Sequence, residues 1–220
     1  MSNPSHPNSM LVIRLYAPPG AGKSTAAKKL GLDIISTGEM LRDHRDRGTD
    51  LGKRAQAALD AGGLVDDGIV NGIVEDRLKT IIAKGDSKGF VFDGFPRTAE
   101  QAKFLDDLLQ KMGIVEENIR TIVLNVEDDE LRTRIQTRYQ GALAAGEKPR
   151  RDDDPVVFEE RLRQYKAYSG PTLRYYGDHV QFVDGNGNKK QTLAGIQEAI
   201  SAPTRIVRAP RSRLEGYTAA

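Results

Sequence analysis

The segment from Leu11 to Thr25 reads LVIRLYAPPGAGKST and joins an apolar run to a helical pattern through a loop with two glycines. A strand, a glycine-containing loop and a helix in this order are typical of a phosphate-binding loop. Gly20 and Gly22 let backbone N–H groups approach phosphate oxygens without an intervening Cβ. Lys23 would place a positive charge on the β- and γ-phosphates, at a helix N-terminus that itself favours anions. The loop predicts phosphoryl chemistry, although ATPases, GTPases and kinases all use such loops.

Two hydroxyl side chains follow the lysine, and one position departs from the motif. Ser24 and Thr25 can help to hold Mg²⁺ or a phosphate. The first position of G-x-x-x-x-G-K-[ST] is Ala17 instead of glycine. Because alanine accepts a negative φ easily and a positive φ poorly, we predict ordinary backbone at Ala17.

Three further segments carry charged residues that could act on phosphate: STGEMLR from Ser36 to Arg42, DGFPRT from Asp93 to Thr98, and RRDD from Arg150 to Asp153. Asp93 ends an apolar run, which is where open α/β sheets bind ligands. Arginines suit phosphate because the guanidinium fork pairs bidentately with its oxygens. Gln101 is open to two interpretations. It could contact a bound ligand, or it could cap a helix, since Thr98 and Gln101 have the spacing of a helix capping box.

Short apolar runs alternate with helical patterns along the chain, and five runs are strand candidates: 11–16, 34–35, 90–92, 121–126 and 180–183. Between Gln101 and Met112 the apolar residues share one helical face, and Gly113 supplies a stop. The alternation predicts an α/β fold of the P-loop NTPase type, with a five-stranded parallel sheet flanked by helices. Arg14 lies inside the first predicted strand. We expect its side chain either near an edge of that strand or beside an acidic partner.

The order and spacing of these segments closely resemble those of adenylate kinases, a family of nucleoside monophosphate kinases, over about residues 13–200. The resemblance implies reversible in-line transfer of the terminal phosphoryl group from MgATP to AMP, giving two ADP, with closure of a lid. It also implies a helical NMP-binding insertion and a short lid, since eleven residues separate Arg138 from Arg150. The absence of cysteine excludes a cysteine-bound zinc in this lid.

The resemblance assigns residues to both nucleotides. ATP would be bound by Pro19, Gly20, Ala21, Gly22, Lys23, Ser24, Thr25, Arg134 and Arg138. AMP would be bound by Thr37, Gly38, Arg42, Leu64, Val65, Gly94, Arg97, Gln101, Arg150 and Arg161, with Gln101 reading the adenine edge. Mg²⁺ would be held by Ser24 and Asp93 through water. The catalytic residues would be Lys23, Arg97, Arg138, Arg150 and Arg161. Asp152 and Asp153 would pair with the arginines of the lid.

Composition and charge set the remaining expectations. The 220 residues carry a net charge of only +2, which gives no general basic field for nucleic acid or membrane. We expect a disordered extension at 1–9, a kinase domain at 10–202 with insertions at about 37–67 and 138–151, and a tail at 203–220. The first nine residues lack the features of a signal peptide, so a cytoplasmic location is expected. A monomer is the expectation of the family.

Four other functions compete with this interpretation. A kinase of the same fold could prefer UMP or CMP, although the spacing from Thr98 to Gln101 favours AMP. Another P-loop small-molecule kinase would lack the segments that begin at Asp93 and Arg150. A regulatory protein without catalysis would bind nucleotide and show no turnover, and Ala17 keeps that reading open. An RNA-binding role for the tail lacks the aromatic-rich basic surface that it needs.

Overall fold

The computed structural model describes residues 7–60 and 64–202, without the side chains of 57, 59 and 60. The predicted tail at 203–220, the first six residues and Gly63 lie outside the described residues. The end of the predicted disordered extension differs from expectation, because Pro7–Ser9 form a short 3-10 helix. The Asn118 side-chain amide donates to the carbonyl of Asn8 at 2.6 Å, which holds this turn against the domain.

A parallel five-stranded sheet forms the centre of the fold. Its strands are β1 (Leu11–Tyr16), β2 (Asp33–Ser36), β3 (Gly89–Asp93), β4 (Ile119–Asn125) and β5 (Val180–Asp184). The spatial order is β2-β3-β1-β4-β5, and every pair of neighbours is parallel. The predicted fold class and all five strand candidates are confirmed. The carboxyl ends of β1 and β3 are neighbours, so the phosphate loop and Asp93 meet at one edge of the sheet.

Helices cover both faces of this sheet. The described α-helices are α1 (Lys23–Lys29), α2 (Thr37–Asp46), α3 (Asp50–Asp60), α4 (Asp67–Lys84), α5 (Ala99–Lys111), α6 (Asp128–Ala144), α7 (Pro155–Tyr176) and α8 (Lys189–Ser201). None of these helices combines the length and the apolar character that crossing a bilayer requires. The helix predicted at 101–112 is α5, which begins at Ala99 and ends at Lys111. Gly113, the predicted stop, has a φ of 76°.

The strand β3 is buried along its whole length, as expected for an inner strand of a parallel sheet. Its side chains alternate between two apolar clusters. Phe90 and Phe92 pack with Leu78 of α4 and Leu105 of α5, whereas Val91 packs on the opposite face with residues of α1, α6, α7 and α8. This double burial holds the carboxyl end of β3 in place, and with it Asp93.

Arg14 is buried in β1 and is paired with an acid, which decides between its two predicted placements. Its side chain is 7% exposed and forms an ion pair with Asp106 of α5. The guanidinium also lies 4.3 Å from the centre of the Tyr176 ring and donates to Thr121 Oγ1 at 3.4 Å. Burial raises the pKa of the Asp106 carboxyl above its usual range, although the Arg14 charge opposes that rise. The pair links the central strand to α5, which carries Gln101.

Candidate active site

The phosphate-binding loop turns through two glycines with left-handed backbone. Gly20 and Gly22 have φ values of 85° and 84°, a region that side chains disfavour. Gly22 is the N-cap of α1, so the first turn of that helix begins at Lys23. No residue other than glycine has a positive φ in the described part of the chain, which confirms the ordinary backbone predicted at Ala17.

Lys23, Ser24 and Asp93 form one hydrogen-bonded group at the carboxyl end of the sheet. Lys23 Nζ donates to the carbonyl of Ala17 at 3.2 Å and lies 3.5 Å from Asp93 Oδ1. The Ser24 hydroxyl donates to Asp93 Oδ2. The Asp93 carboxylate and the Ser24 hydroxyl therefore lie in contact beside Lys23. Oxygen atoms of this kind are the ligands that Mg²⁺ prefers.

The environment of Lys23 lowers the pKa of its ammonium group. Burial is the largest cause, the charges of Arg97 and Arg161 act in the same direction, and Asp93 opposes them. Lys23, Arg97 and Arg161 thus share one electrostatic field, although they come from α1, the loop after β3 and α7. A cluster of this kind is relieved by an anion placed among its members.

The lowered pKa predicts a loss of activity at alkaline pH. The resemblance implies that the ammonium form of Lys23 contacts the phosphates of MgATP, so kcat/KM for that substrate should fall as pH rises through a pKa below the ordinary value of 10.5. Measuring kcat/KM from neutral to alkaline pH tests this. The residual activity of Lys23→Arg should lack the decline, because guanidinium stays protonated. The same decline in Lys23→Arg would show that another group titrates.

A cavity of about 400 Å³ opens beside this group, between α2, α4 and the start of α7. All ten residues that the sequence assigns to AMP line it, namely Thr37, Gly38, Arg42, Leu64, Val65, Gly94, Arg97, Gln101, Arg150 and Arg161. These residues are spread over 125 positions of the chain, from 37 to 161, and the fold brings them around one space. Apolar side chains form one part of the wall, including Leu41, Leu64 and Val65.

The polar wall of this cavity is strongly basic. Six arginines and two acidic residues line it: Arg42, Arg45, Arg97, Arg150, Arg151, Arg161, Glu39 and Asp152. Burial lowers the pKa of the Arg161 guanidinium most, and the Arg97 and Arg42 charges lower it further, while Asp152 opposes them. The arginines are thus close enough to repel one another, so a phosphate or another polyanion is the complementary ligand.

The turn after β3 places Arg97 between the cavity and the phosphate loop. Arg97 Nε donates to the carbonyl of Gly94 at 2.8 Å, and Thr37 Oγ1 donates to the same carbonyl at 2.9 Å. Gly94 has a φ of 80°, and a Cβ there would lie 3.0 Å from Arg97 Nη2. A smaller cavity of about 50 Å³, lined by Lys23 and by Ala17 of the loop, shares Gly94, Arg97 and Arg161 with the larger one.

The position of Gln101 is compatible with both of the interpretations that the sequence left open. It lines the cavity, and its side chain is also part of the N-terminal end of α5. Thr98 caps the helix by accepting from the Gln101 N–H at 3.1 Å, and Gln101 Oε1 accepts from the N–H of Arg97 at 2.7 Å. The capping box is therefore shifted by one residue, because the glutamine reaches Arg97 and not Thr98.

The predicted lid arginines are held by acids or by carbonyl groups. Arg138 makes a bidentate pair with Asp153, which is 2% exposed, and Arg161 pairs with Asp152 at 3.0 Å. The two acids of the RRDD segment thus pair with arginines as the resemblance implied. Arg134 donates to the carbonyls of Gly185, Asn186 and Gly187 at 2.8 to 3.3 Å. Neither Arg134 nor Arg138 is among the residues that line the two cavities.

Sequence reasoning missed Arg45 and Arg151, which also line the larger cavity. Arg45 follows Arg42 by three positions on α2, so the helical period places both on one face. The spacing of Arg42 and Arg45 could therefore have identified Arg45 as a cavity residue. Arg151 lies beside Arg150 in the 3-10 turn before α7, and nothing in its neighbours distinguishes it from a solvent-facing arginine.

Comparison with known proteins adds an independent finding. A family model described as Adenylate kinase matches residues 15–181. A protein named Adenylate kinase from Agrobacterium fabrum is 44% identical over 194 residues, which cover 86% of this chain and 94% of that protein. The adenylate kinase of Mesorhizobium japonicum is 45% identical over 194 residues, covering 86% and 96%. That of Xanthobacter autotrophicus is 42% identical over 193 residues, covering 85% and 96%.

Proposed function

We propose the following roles on the premise that the chain belongs to the adenylate kinase family. The chain is a nucleoside monophosphate kinase that transfers the terminal phosphoryl group of ATP reversibly to AMP, giving two ADP. In this chain the triphosphate of MgATP lies along the loop from Pro19 to Thr25. AMP occupies the cavity of about 400 Å³, with its base toward Gln101.

The observation that carries this assignment is the shared wall of the two cavities. Gly94, Arg97 and Arg161 line both the space beside Lys23 and the larger basic cavity. A donor phosphate at Lys23 and an acceptor phosphate at Arg97 would therefore be neighbours. That arrangement is what direct transfer between two nucleotides needs.

The proposed mechanism relies on charge and position. The acceptor is a phosphate oxygen of AMP, and since the second pKa of a monophosphate is about 6, it is already anionic at neutral pH and needs no general base. Lys23, Arg97 and Arg161 would neutralise charge on the transferred group and hold the two phosphates in line. Water must be kept away, because hydrolysis would otherwise compete with transfer.

The metal would be supplied with ATP. Mg²⁺ keeps several water ligands and binds protein through one or two oxygens plus the substrate phosphates. Ser24 and Asp93 fit this pattern, since their oxygens are in contact beside Lys23. The described residues contain no group of three or more histidine or acidic side chains that could hold a metal by themselves. When bound, Mg²⁺ would neutralise phosphate charge, while Asp93 orients its water ligands.

The residues at about 138–151 would act as the lid, and those at about 37–67 as the AMP-binding insertion. Arg138 and Arg161 are paired with Asp153 and Asp152, and phosphate is a bidentate partner that could take over these guanidiniums. Gly141 and Gly146 would be points of bending in the lid. Arg150 already lines the cavity in which we place AMP.

An acceptor panel tests the function. The purified chain is incubated with MgATP and, separately, with AMP, CMP, UMP, GMP or dTMP, and formation of diphosphates is followed. We expect fast formation of ADP with AMP and at most slow reactions with the other acceptors. A preference for a pyrimidine monophosphate would contradict the roles of Thr37 and Gln101. Nucleotide binding without turnover would contradict the assignment of a catalytic function.

We further propose that the chain acts as a monomer in the cytoplasm. A sequence without cysteine suits a reducing compartment, and a monomer is what the family resemblance implies. A molar mass of about twice 24.2 kDa in solution, measured by light scattering, would contradict the monomer.

A further inference from the structure

Asp67 lies in the first turn of α4, behind Gln101 as seen from the cavity. Its Oδ1 accepts from Gln101 Nε2 at 2.6 Å, and its Oδ2 accepts from the Thr98 hydroxyl at 2.8 Å. On the other side, Gln101 Oε1 accepts from the N–H of Arg97 at 2.7 Å. Gln101 lines the cavity but Asp67 does not. Both amide atoms of the glutamine are therefore anchored from outside the space that the nucleotide would fill.

These two anchors fix which way the amide group points. A backbone N–H can only donate, so the atom that meets Arg97 must be Oε1. A carboxylate can only accept, so the atom that meets Asp67 must be Nε2. If the amide were rotated by half a turn, Oε1 would face the Asp67 carboxylate and the Nε2 N–H would face the N–H of Arg97. Gln101 is 2% exposed, so water cannot easily satisfy the groups that such a turn would leave unpaired.

The orientation of the amide decides what a base edge must offer. Each amide atom keeps one further capacity, a second N–H on Nε2 and a second lone pair on Oε1. Adenine presents an amino donor beside a ring-nitrogen acceptor, which a glutamine amide can match with two hydrogen bonds. Hypoxanthine, the base of IMP, presents a carbonyl acceptor beside a ring N–H donor. This edge of hypoxanthine has the same shape as that of adenine, but its donor and acceptor are exchanged. It would therefore need the Gln101 amide in the reversed orientation.

We propose that Asp67 is a positioning residue that holds the Gln101 amide in the orientation complementary to a 6-aminopurine, and so sets the preference for AMP over IMP. The inference rests on the proposed AMP site and adds to it the residue that gives the site its polarity. Asp67 acts through Gln101 and does not touch the nucleotide. Its carboxylate, and not its shape, is the property that matters, because a carboxylate cannot donate and so opposes the reversed amide together with the N–H of Arg97.

The Asp67→Asn variant separates polarity from packing. Asparagine has the same shape, but its amide can donate as well as accept, and the Thr98 hydroxyl can adapt to either. The matched control is Asp66→Asn, the same substitution one residue earlier. Asp66 is the N-cap of α4 and its side chain accepts from the Ile69 N–H at 3.2 Å. Asparagine caps helices as well as aspartate does, so this control keeps the helix end intact.

The experiment measures kcat/KM for AMP and for IMP, with saturating MgATP, on one preparation of each protein. Where IMP turnover is too slow to follow, its inhibition constant against AMP is compared with KM for AMP and gives the corresponding preference in binding. For the unchanged chain we expect AMP to be preferred by at least roughly 10- to 100-fold, the usual value of a good bidentate base contact. Asp67→Asn removes one of the two anchors and leaves the N–H of Arg97 in place. It should therefore reduce the ratio by roughly tenfold without reversing the preference for AMP, with KM for ATP unchanged. Asp66→Asn should keep the original ratio.

Three outcomes would decide against the proposal. If Asp67→Asn leaves the ratio unchanged, or weakens both acceptors equally, Asp67 only supports the fold. If Asp66→Asn changes the ratio as much, the effect belongs to α4 in general. Asp67→Ala provides a second variant with the same expected direction, should the asparagine form fold poorly. Failure of the proposed function itself would be distinct, because the unchanged chain would then not phosphorylate AMP at all.

Discussion

Replacing Lys23 with alanine is expected to lower kcat by roughly 100- to 1,000-fold, the usual loss when one preorganised contact to developing charge is removed. Lys23 is the cationic group of the phosphate loop and lies 3.5 Å from Asp93. Its charge acts in a buried setting together with Arg97 and Arg161, where electrostatic interactions are stronger than in water. The measurement is steady-state formation of ADP from MgATP and AMP.

The control for this prediction is Lys28→Ala on the same helix. Lys28 is exposed in α1, so its loss changes the net charge equally without touching the site. We expect kcat to stay close to that of the unchanged chain. Circular dichroism should show both variants folded. Comparable losses in the two variants would mean that helix stability, and not phosphate contact, explains the effect of Lys23.

Replacing Asp106 with alanine should lower the free energy of unfolding by about 3 kcal/mol, because it leaves a buried arginine without its counterion. Arg14 is 7% exposed and Asp106 is 33% exposed, so we expect the lower end of the usual range for breaking a buried pair. For a chain of this size the loss corresponds to a fall in Tm of roughly 6 to 12 °C. Thermal and urea unfolding, each followed by circular dichroism, would measure it.

Two further variants identify the cause of that loss. Asp107→Ala removes an exposed acid from the next position of α5, and we expect a change within about 0.5 kcal/mol. Replacing both members of the pair, with Arg14→Leu and Asp106→Ala, should recover much of the lost stability, since an apolar pair needs no counterion. If the double variant is as unstable as Asp106→Ala, the penalty does not come from an unpaired Arg14.

The burial of this ion pair also explains why its own contribution is modest. Burial raises the pKa of Asp106 in spite of the neighbouring Arg14, so the cost of taking the carboxylate out of water offsets part of what the pairing contributes. Breaking the pair is nevertheless expensive, because Arg14 cannot reach water from the middle of β1.

The elements that depend on local contacts were predictable from the sequence. Gly20, Gly22 and Lys23 lie within four positions, and the strand before them and the helix after them follow from apolar patterning. The start and end of α5 follow from Thr98 and Gly113, which act on backbone groups close to them in the chain. The parallel order of the sheet follows from the alternation of strands and helices.

The family resemblance also made the residues of the cavity predictable. It selected Arg42, Arg97 and Arg161 from the many arginines of the chain, and the fold brings them to one space. Physical reasoning alone could not have done so, because an isolated arginine is most often solvated. Arg45 shows the limit of the resemblance, since it lines the same cavity although the sequence assigned no role to it.

By itself, the sequence determined the phosphate loop and the class of fold, because these follow from residue types at short spacing, and its resemblance to a family added the arginines that could contact phosphate. Only the tertiary structure decided the pairings. Arg14 meets Asp106 across 92 positions, Gln101 meets Asp67 across 34, and Arg138 meets Asp153 across 15. Many acids compete for each of these partners in the sequence. Packing of helices on the sheet leaves one within reach, and burial then makes that choice costly to undo.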